Sequence, residues 1–380
     1  MKPIVIIGSG LAGYGVAREF RKLNKETPLI IITADDGRAY SKPMLSNALG
    51  KGKTPVQLAT ATSTDIATQL DAEIRTQSIV TAIESDHHTI SIDGETIEYS
   101  KLVLALGATP FQPPIEGNAT DRVYSINSLN DYSVFREAIT DKKSISILGG
   151  GLIGCEFAND LATSGYIVNV IDRNNWPLGQ LIPEPLGIKL QQSLEAIGVE
   201  WYKNNTVKCI DSSEQQLSIS LESGEKLLSD VVLSAIGLRT ELSLAQQAGI
   251  QTNRGIIVNE KLESSAKDIF ALGDCAEVNS FFMPFIMPLM KCTKALAQTL
   301  NDNSTSVSYP AMPVTLKTPA FPISVLPPAP AIKGSWEVEM SDDAVRALFK
   351  DSENQIKGFA FGGKATAEAN KLALTLPSLF

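Results

Sequence analysis

The stretch Ile4-Val5-Ile6-Ile7-Gly8-Ser9-Gly10-Leu11-Ala12-Gly13 sets a short apolar run against three glycines spaced G-x-G-x-x-G. The run reads as a buried strand, the glycines as a tight turn, and the residues to about Leu23 carry a helical pattern. A second apolar run, Leu29 to Thr33, follows. Strand, glycine turn, helix and strand make one βαβ unit. The arrangement recurs 141 residues later. Ser144 to Leu148 is the strand, Gly149-Gly150-Gly151-Leu152-Ile153-Gly154 the turn, Cys155 to Ser164 the helix and Ile167 to Ile171 the next strand. A repeat of that length duplicates a whole domain, not a solenoid period.

The glycine spacing has a chemical reading. The first glycine permits the tight turn, the second lets the backbone approach a pyrophosphate, and the third lets helix pack on strand. Unpaired N–H groups at the helix N-terminus then face the anion. One such turn is common; two, each flanked by the correct strand and helix, point to two dinucleotide sites. Asp172 lies 23 residues after Gly149, at the end of its strand. That position suits the ribose 2′-hydroxyl of NAD and repels the 2′-phosphate of NADP, although Arg173 stands next to it. In the first unit Thr33 and Ala34 occupy the corresponding slot, with Asp35 and Asp36 just beyond.

Between the two units, Ile74 to Ile83 and Thr89 to Tyr99 read as a strand meander, with Asp93-Gly94 as a hairpin turn. His87 and His88 read as part of a solvated turn beside Asp86. Leu102 to Leu106, Val231 to Ile236 and Ile269 to Leu272 are further strands, each running into glycine. Beyond about residue 310 the prolines Pro313, Pro319, Pro322, Pro327, Pro328 and Pro330 mark a connection. It leads into strands near Trp336 to Met340, Val345 to Phe349 and Ile356 to Phe361, then a helix Ala365 to Ala373. The expected fold is α/β: two Rossmann-like units and a small α+β C-terminal domain. The expected boundaries are 1–112 with 246–312, then 113–245, then 313–380.

Composition narrows the class. Of 380 residues, 43% are hydrophobic and 20% charged, ordinary for a soluble globular chain. A net charge of −9 disfavours nucleic acid as a partner. The charge is uneven: residues 281–380 carry nine Lys/Arg against eight Asp/Glu. The apolar run Phe281 to Met290, broken by Pro284 and Pro288, is too short to span a bilayer. With no signal-like segment at Ile4 to Ile7, the expectation is a cytoplasmic protein that does not insert in membranes. Cys155, Cys209, Cys275 and Cys292 form neither a C-x-x-C pair nor metal-ligand spacing, so no metal site is expected.

The two fingerprints, Ala105-Leu106-Gly107-Ala108 and Ile269-Phe270-Ala271-Leu272-Gly273-Asp274 resemble the flavoprotein reductases with two dinucleotide-binding domains. The resemblance spans residues 4 to about 290. It implies that the first unit binds FAD and the second the nicotinamide cofactor. Tyr40-Ser41-Lys42-Pro43-Met44-Leu45-Ser46, Gly154-Cys155-Glu156-Phe157-Ala158 and Met312-Pro313-Val314-Thr315-Leu316-Lys317-Thr318-Pro319 are similar to the subfamily that reduces rubredoxin, as is the short third domain. The related subfamily serving flavorubredoxin in nitric oxide detoxification has a similar Lys-Pro motif.

By position, the resemblance puts Gly8, Ser9, Gly10, Leu11, Ala12 and Gly13 at the FAD pyrophosphate and Thr33 and Ala34 at its adenosine. It puts Val80 at the adenine and Lys42 near flavin N5. Glu156 approaches the flavin from the second unit and pairs with Lys42, while Asp274, Ile286 and Lys317 complete the flavin site. Gly149, Gly151, Gly154 and Asp172 hold NADH. Lys42 and Glu156 are the catalytic candidates. A helix beginning near Pro288 would add the positive end of its dipole.

A nicotinamide delivers two electrons together, whereas an iron protein accepts one at a time; a flavin can do both. Dithiol relatives need two cysteines beside the flavin, and oxidase and peroxidase relatives need one in the loop Ser41 to Ser46. Neither is present. Cys155 and Cys275 read as packing residues. Electrons are therefore expected to leave directly to an external one-electron acceptor; the resemblance implies that this is rubredoxin, an acidic iron protein docking transiently, and that it feeds an alkane hydroxylase. The competing reading is a slow-turnover flavoprotein NADH sensor. Lys291, Lys294 and Lys317 are the expected docking cations.

Overall fold

The structure is a computed structural model describing residues 1–329 and 331–380; of the connecting prolines, Pro330 lies outside them. Strand Ile4–Ile7 is the centre of a five-stranded parallel sheet, ordered 269–271, 101–104, 4–7, 29–32 and 73–75. All four residues of Ile4–Ile7 are buried, as a central parallel strand covered on both faces requires. Helix α1 (Leu11–Leu23) follows the glycine turn and buries Tyr14, Val16, Ala17 and Phe20. Arg21 and Lys22 sit in its last turn, where cations complement the dipole.

The second unit repeats the plan. Its parallel sheet runs 123–125, 231–234, 144–148, 167–172 and 199–203. Helix α2 (Leu152–Thr163) starts three residues before the expected Cys155, inside the glycine turn itself. A three-stranded antiparallel sheet, Val207–Ser213, Gln216–Leu221 and Lys226–Ser229, covers one face. The sequence reading passed over it, although Gln216–Leu221 alternates half-buried and buried positions in the period of a strand. Its Leu217, Ile219 and Leu221 pack with Leu148, Ile171 and Val232.

The chain crosses between the units twice, and the two crossings pair antiparallel as Thr109 with Arg239 and Pro110 with Leu238. The Arg239 guanidinium lies 4.0 Å from the Phe111 ring centre. Ala245, on the short helix Ser243–Gln247, is already part of the first unit's core. Helix α3 (Ile286–Leu300) then packs along α1; a Cβ at Gly15 would lie 2.9 Å from the Thr293 methyl.

The C-terminal domain is a five-stranded antiparallel sheet, ordered 314–316, 323–326, 356–363, 344–351 and 334–340. Its first two strands were not expected. They are three and four residues long and bracketed by Pro313, Pro319, Pro322 and Pro327, which reads as a linker. The closing helix is a 3-10 turn Lys364–Glu368 followed by Ala369–Ala373. Leu316, Phe321, Ile323, Val345 and Ala360 share one core with Leu45, Phe157 and Leu161, so this domain is seated on α2 and on the segment around Leu45 of the first unit. Asp93 and Gly94 have positive φ, as the hairpin requires. His88 is less solvated than its turn suggests, stacked on Tyr99 at 5.2 Å. Among the described residues no helix is long and apolar enough to cross a membrane.

Candidate functional site

The two glycine turns are built on the same plan. Gly8 has φ +114°, and a Cβ there would meet the Ala105 carbonyl at 2.2 Å; one at Gly13 would meet the Gly8 carbonyl at 1.8 Å. At Gly10 nothing lies within 4 Å. In the second unit Gly149 has φ +99° and would meet the Ala235 carbonyl at 2.8 Å, Gly154 would meet the Gly149 carbonyl at 1.9 Å, and Gly151 again faces open space. The outer glycines are thus consumed by packing, while the middle one leaves room for a group from outside. Gly10 and Gly151 are also the N-caps of α1 and α2, and neither helix has a side-chain cap. Free first-turn N–H groups beside an open glycine fit a pyrophosphate.

The strand-end acids differ. Asp172 is buried, and its Oδ1 accepts from the Asn174 backbone at 3.2 Å and its amide at 3.0 Å. Among the described residues its Oδ2, set against Gly150, has no side-chain partner, and burial pushes the carboxyl up from the usual range. A ribose hydroxyl would supply the missing donor. In the first unit Asp35 turns inward: Oδ1 accepts the Thr33 hydroxyl at 2.7 Å and the Gly37 N–H at 2.9 Å. Ser9 Oγ lies 2.8 Å from Thr33 Oγ1, so Ser9 and Thr33 are buried and tied together, while Ala34 is exposed. Val80 is buried at the start of strand Val80–Glu84.

Lys42 opens a 3-10 helix, Lys42–Asn47, in which Pro43 pre-sets the first turn. Burial lowers the Lys42 ammonium from its ordinary value, opposed by the carboxylates of Asp274 and Asp131. Asp274 lies on the turn Gly273–Cys275; a Cβ at Gly273 would touch Ala12 at 3.0 Å and Leu289 at 3.6 Å. The first glycine turn, Lys42, Asp274 and the start of α3, with Ile286 exposed, therefore face one region.

The expected pairing of Glu156 with Lys42 is not what forms. Among the described residues Lys42 has no ion pair; the carboxylates of Asp274 and Asp131 favour its ammonium without bonding it. Glu156 is 4% exposed and accepts from the Ser46 hydroxyl and from the Lys317 backbone N–H at 2.9 Å. The Lys317 ammonium stands 3.6 Å from Glu156 Oε2 and donates to the Pro43 carbonyl at 2.7 Å. Glu156 thus joins three segments: α2, the Lys42 loop and the C-terminal domain. Sequence reasoning missed Ser46, and with it Asn159 and Asp160 on the same face of α2. Their i, i+3, i+4 spacing with Glu156 was the available signal. All four cysteines are free, and burial pushes Cys275 and Cys292 each to about 11, far from thiolate chemistry.

Two nucleotide-binding units feeding one half-buried lysine loop define a flavin- and nicotinamide-dependent reductase. Residues 2–299 match the family described as pyridine nucleotide-disulphide oxidoreductase, and residues 306–376 match the rubredoxin binding C-terminal domain. The chain belongs to the pyridine nucleotide-disulphide oxidoreductase family, and is an oxidoreductase using FAD and NAD(H). It is 47% identical over 380 residues, the whole of both chains, to a rubredoxin-NAD(+) reductase of Alcanivorax borkumensis. It is 33% identical to a nitric oxide reductase FlRd-NAD(+) reductase of Aliivibrio fischeri, covering 94% of each. In fold it superposes on a ferredoxin reductase from Rhodopseudomonas palustris with a TM-score of 0.89 at 21% identity, over 99% of this chain and 96% of that one.

Proposed function

We propose that this protein passes electrons from NADH through FAD to rubredoxin. What supports the reading most is the match of residues 306–376 to a rubredoxin-binding domain whose Lys317 bonds the Pro43 carbonyl, one residue from Lys42. Bound FAD would supply the exchange between the two-electron chemistry of a nicotinamide and one-electron release to an iron protein. The residues of the chain position the two ends. Gly8 to Gly13 seat the FAD pyrophosphate on α1, with Thr33, Ala34 and Val80 toward its adenosine. Gly149, Gly151 and Gly154 seat that of NADH on α2, and Asp172 takes the ribose hydroxyl and sets preference for NADH. Lys42, Asp274, Ile286 and Lys317 would hold the flavin, where Lys42 would supply positive charge and Glu156 acts by holding Lys317. The FAD unit comprises residues 1–112 and a return segment to about 312. Ala245 in the first core favours a return near residue 240 over 246. Flavorubredoxin is the second acceptor to consider, given the Aliivibrio fischeri relative; supply of an alkane hydroxylase and a cytoplasmic location complete the proposal.

On the exposed face of α3, Lys291 and Lys294 stand beside Met287 and Met290. A transient redox interface is small, and its rim charges act mainly on association rate. The deciding assay follows rubredoxin reduction by NADH without oxygen, against ferricyanide as a partner-free acceptor. Rubredoxin should be reduced at a rate that falls as salt rises and as Lys291 or Lys294 is reversed in charge, with ferricyanide turnover little changed. Ferricyanide turnover without rubredoxin reduction would favour the NADH-sensor reading. Rubredoxin turnover flat in salt would reject docking through these lysines.

A further inference from the structure

The buried polar face of α2 extends past Glu156. Asn159 and Asp160 are 3% and 6% exposed. Asn159 Oδ1 accepts the Ala320 N–H of the C-terminal domain at 3.0 Å. Asp160 reaches the opposite way: Oδ2 accepts the Leu49 N–H at 3.0 Å, and Oδ1 accepts the Gly50 N–H at 2.8 Å. A Cβ at Gly50 would stand 2.8 Å from Asp160 Oδ1, so a larger residue there forces the carboxylate or the loop to shift. Leu49 and Gly50 come just past Ala48, the C-cap of the 3-10 helix Lys42–Asn47, whose Leu45, Ser46 and Asn47 are buried. That short helix is thereby pinned to α2 at two places, Ser46 on Glu156 and Leu49-Gly50 on Asp160, with Lys42 at its other end.

We propose that Asp160 is a positioning residue for the reductase reaction: from the nicotinamide-binding unit it fixes the segment that carries Lys42. The inference rests on the reading of Lys42 as facing the flavin. A carboxylate is a poor choice if only stability were served. Burial pushes the Asp160 carboxyl up, against the two N–H donors and the charges of Arg136 and Lys51, so its ionised form is held at a cost. What the carboxylate provides is two acceptors in a fixed fork for two successive backbone N–H groups. Asparagine at 160 would remove the buried charge and keep one acceptor, but turn an N–H against the other donor.

The test compares Asp160→Asn, Lys42→Met and the double variant by single-turnover flavin reduction with NADH, KM for NADH and thermal midpoint. Asp160→Asn should reduce its flavin roughly tenfold more slowly, inside the ~10²-fold that a misplacement of about 1 Å can cause. Its KM should stay at the wild-type value, and its unfolding midpoint should fall by no more than one unpaired N–H explains, leaving the protein folded at the assay temperature. Because Asp160 acts through Lys42, the double variant should be no slower than Lys42→Met alone. Gly50→Ala strains the same contact from the loop side and should give the same rate loss. The inference is overturned if Asp160→Asn reduces its flavin at the wild-type rate, if the two losses multiply, or if the rate falls only in step with lost folding. Wild-type reduction by Lys42→Met would instead remove the reading of Lys42 itself, an outcome distinct from the others.

Discussion

Replacing Glu156 by alanine should destabilise the protein far more than a typical point substitution, and the structure says by how much. Two donors lose their acceptor: the Ser46 hydroxyl, on a residue 3% exposed, and the Lys317 N–H. Each buried donor left unpaired costs about 1–3 kcal/mol. The Lys317 ammonium adds little. Its side chain is 41% exposed and rehydrates, so the pair at 3.6 Å is worth at most about 1 kcal/mol. The sum for Glu156→Ala is about 2–6 kcal/mol. Glu156→Gln retains an acceptor and forfeits the charge, and should cost about half as much. Urea unfolding followed by flavin fluorescence and by circular dichroism reads both, with midpoint and slope giving the free energy. A Glu156→Ala loss below about 0.5 kcal/mol, within the range of ordinary surface changes, would refute the claim that this carboxylate joins the three segments. So would equal losses for alanine and glutamine.

Gly8→Ala must place a methyl against the Ala105 carbonyl at positive φ and should yield little folded protein, whereas Gly10→Ala should fold and bind FAD weakly, as equilibrium dialysis against FAD would show. Asp172→Ala should raise KM for NADH and narrow the preference over NADPH; a wild-type protein using both equally would sink that assignment. Burial works against ionisation of Asp230, yet the N–H groups of Lys143 and Ser144, with Gln216 and the Ser144 hydroxyl, hold its carboxyl at about 2. A depressed carboxyl stabilises the fold above its free value near 4 and ceases to do so as pH falls through about 2. The difference in melting temperature between wild type and Asp230→Asn should therefore be full at pH 7 and close by pH 2.

The glycine turns were legible because the backbone demands placed on them leave one residue type at each position. Gly8 and Gly149 need positive φ, and Gly13 and Gly154 leave no room for a Cβ. Local chemistry alone places those residues. The partner of Glu156 was not legible, since its choice between Lys42 and Lys317 depends on how the C-terminal sheet is seated on α2. The same holds for the contact of Asp35 with the Ser9 hydroxyl, 26 residues away, which depends on the close approach of two loops. Strands Val314–Leu316 and Ile323–Leu326 were hidden for a different reason. Flanking prolines mark loop ends as readily as strand ends, and strands this short carry too little alternation to be recognised.

The paired crossings at Thr109–Pro110 and Leu238–Arg239 bear on how the chain acquires its structure during synthesis. Strands 4–7, 29–32, 73–75 and 101–104 emerge first, but the strand that completes their sheet, 269–271, and the helix that packs along α1, 286–300, come only after the whole inserted unit. The inserted unit has its own five parallel strands within residues 123–234. It can close while the earlier segment still exposes apolar surface. Long-range closure is slow and leaves such surface open to aggregation. A chain arrested just after residue 250 should resist protease across 123–234 and be cut within the first hundred residues. Uniform sensitivity, or protection of the N-terminal strands first, would reverse that order.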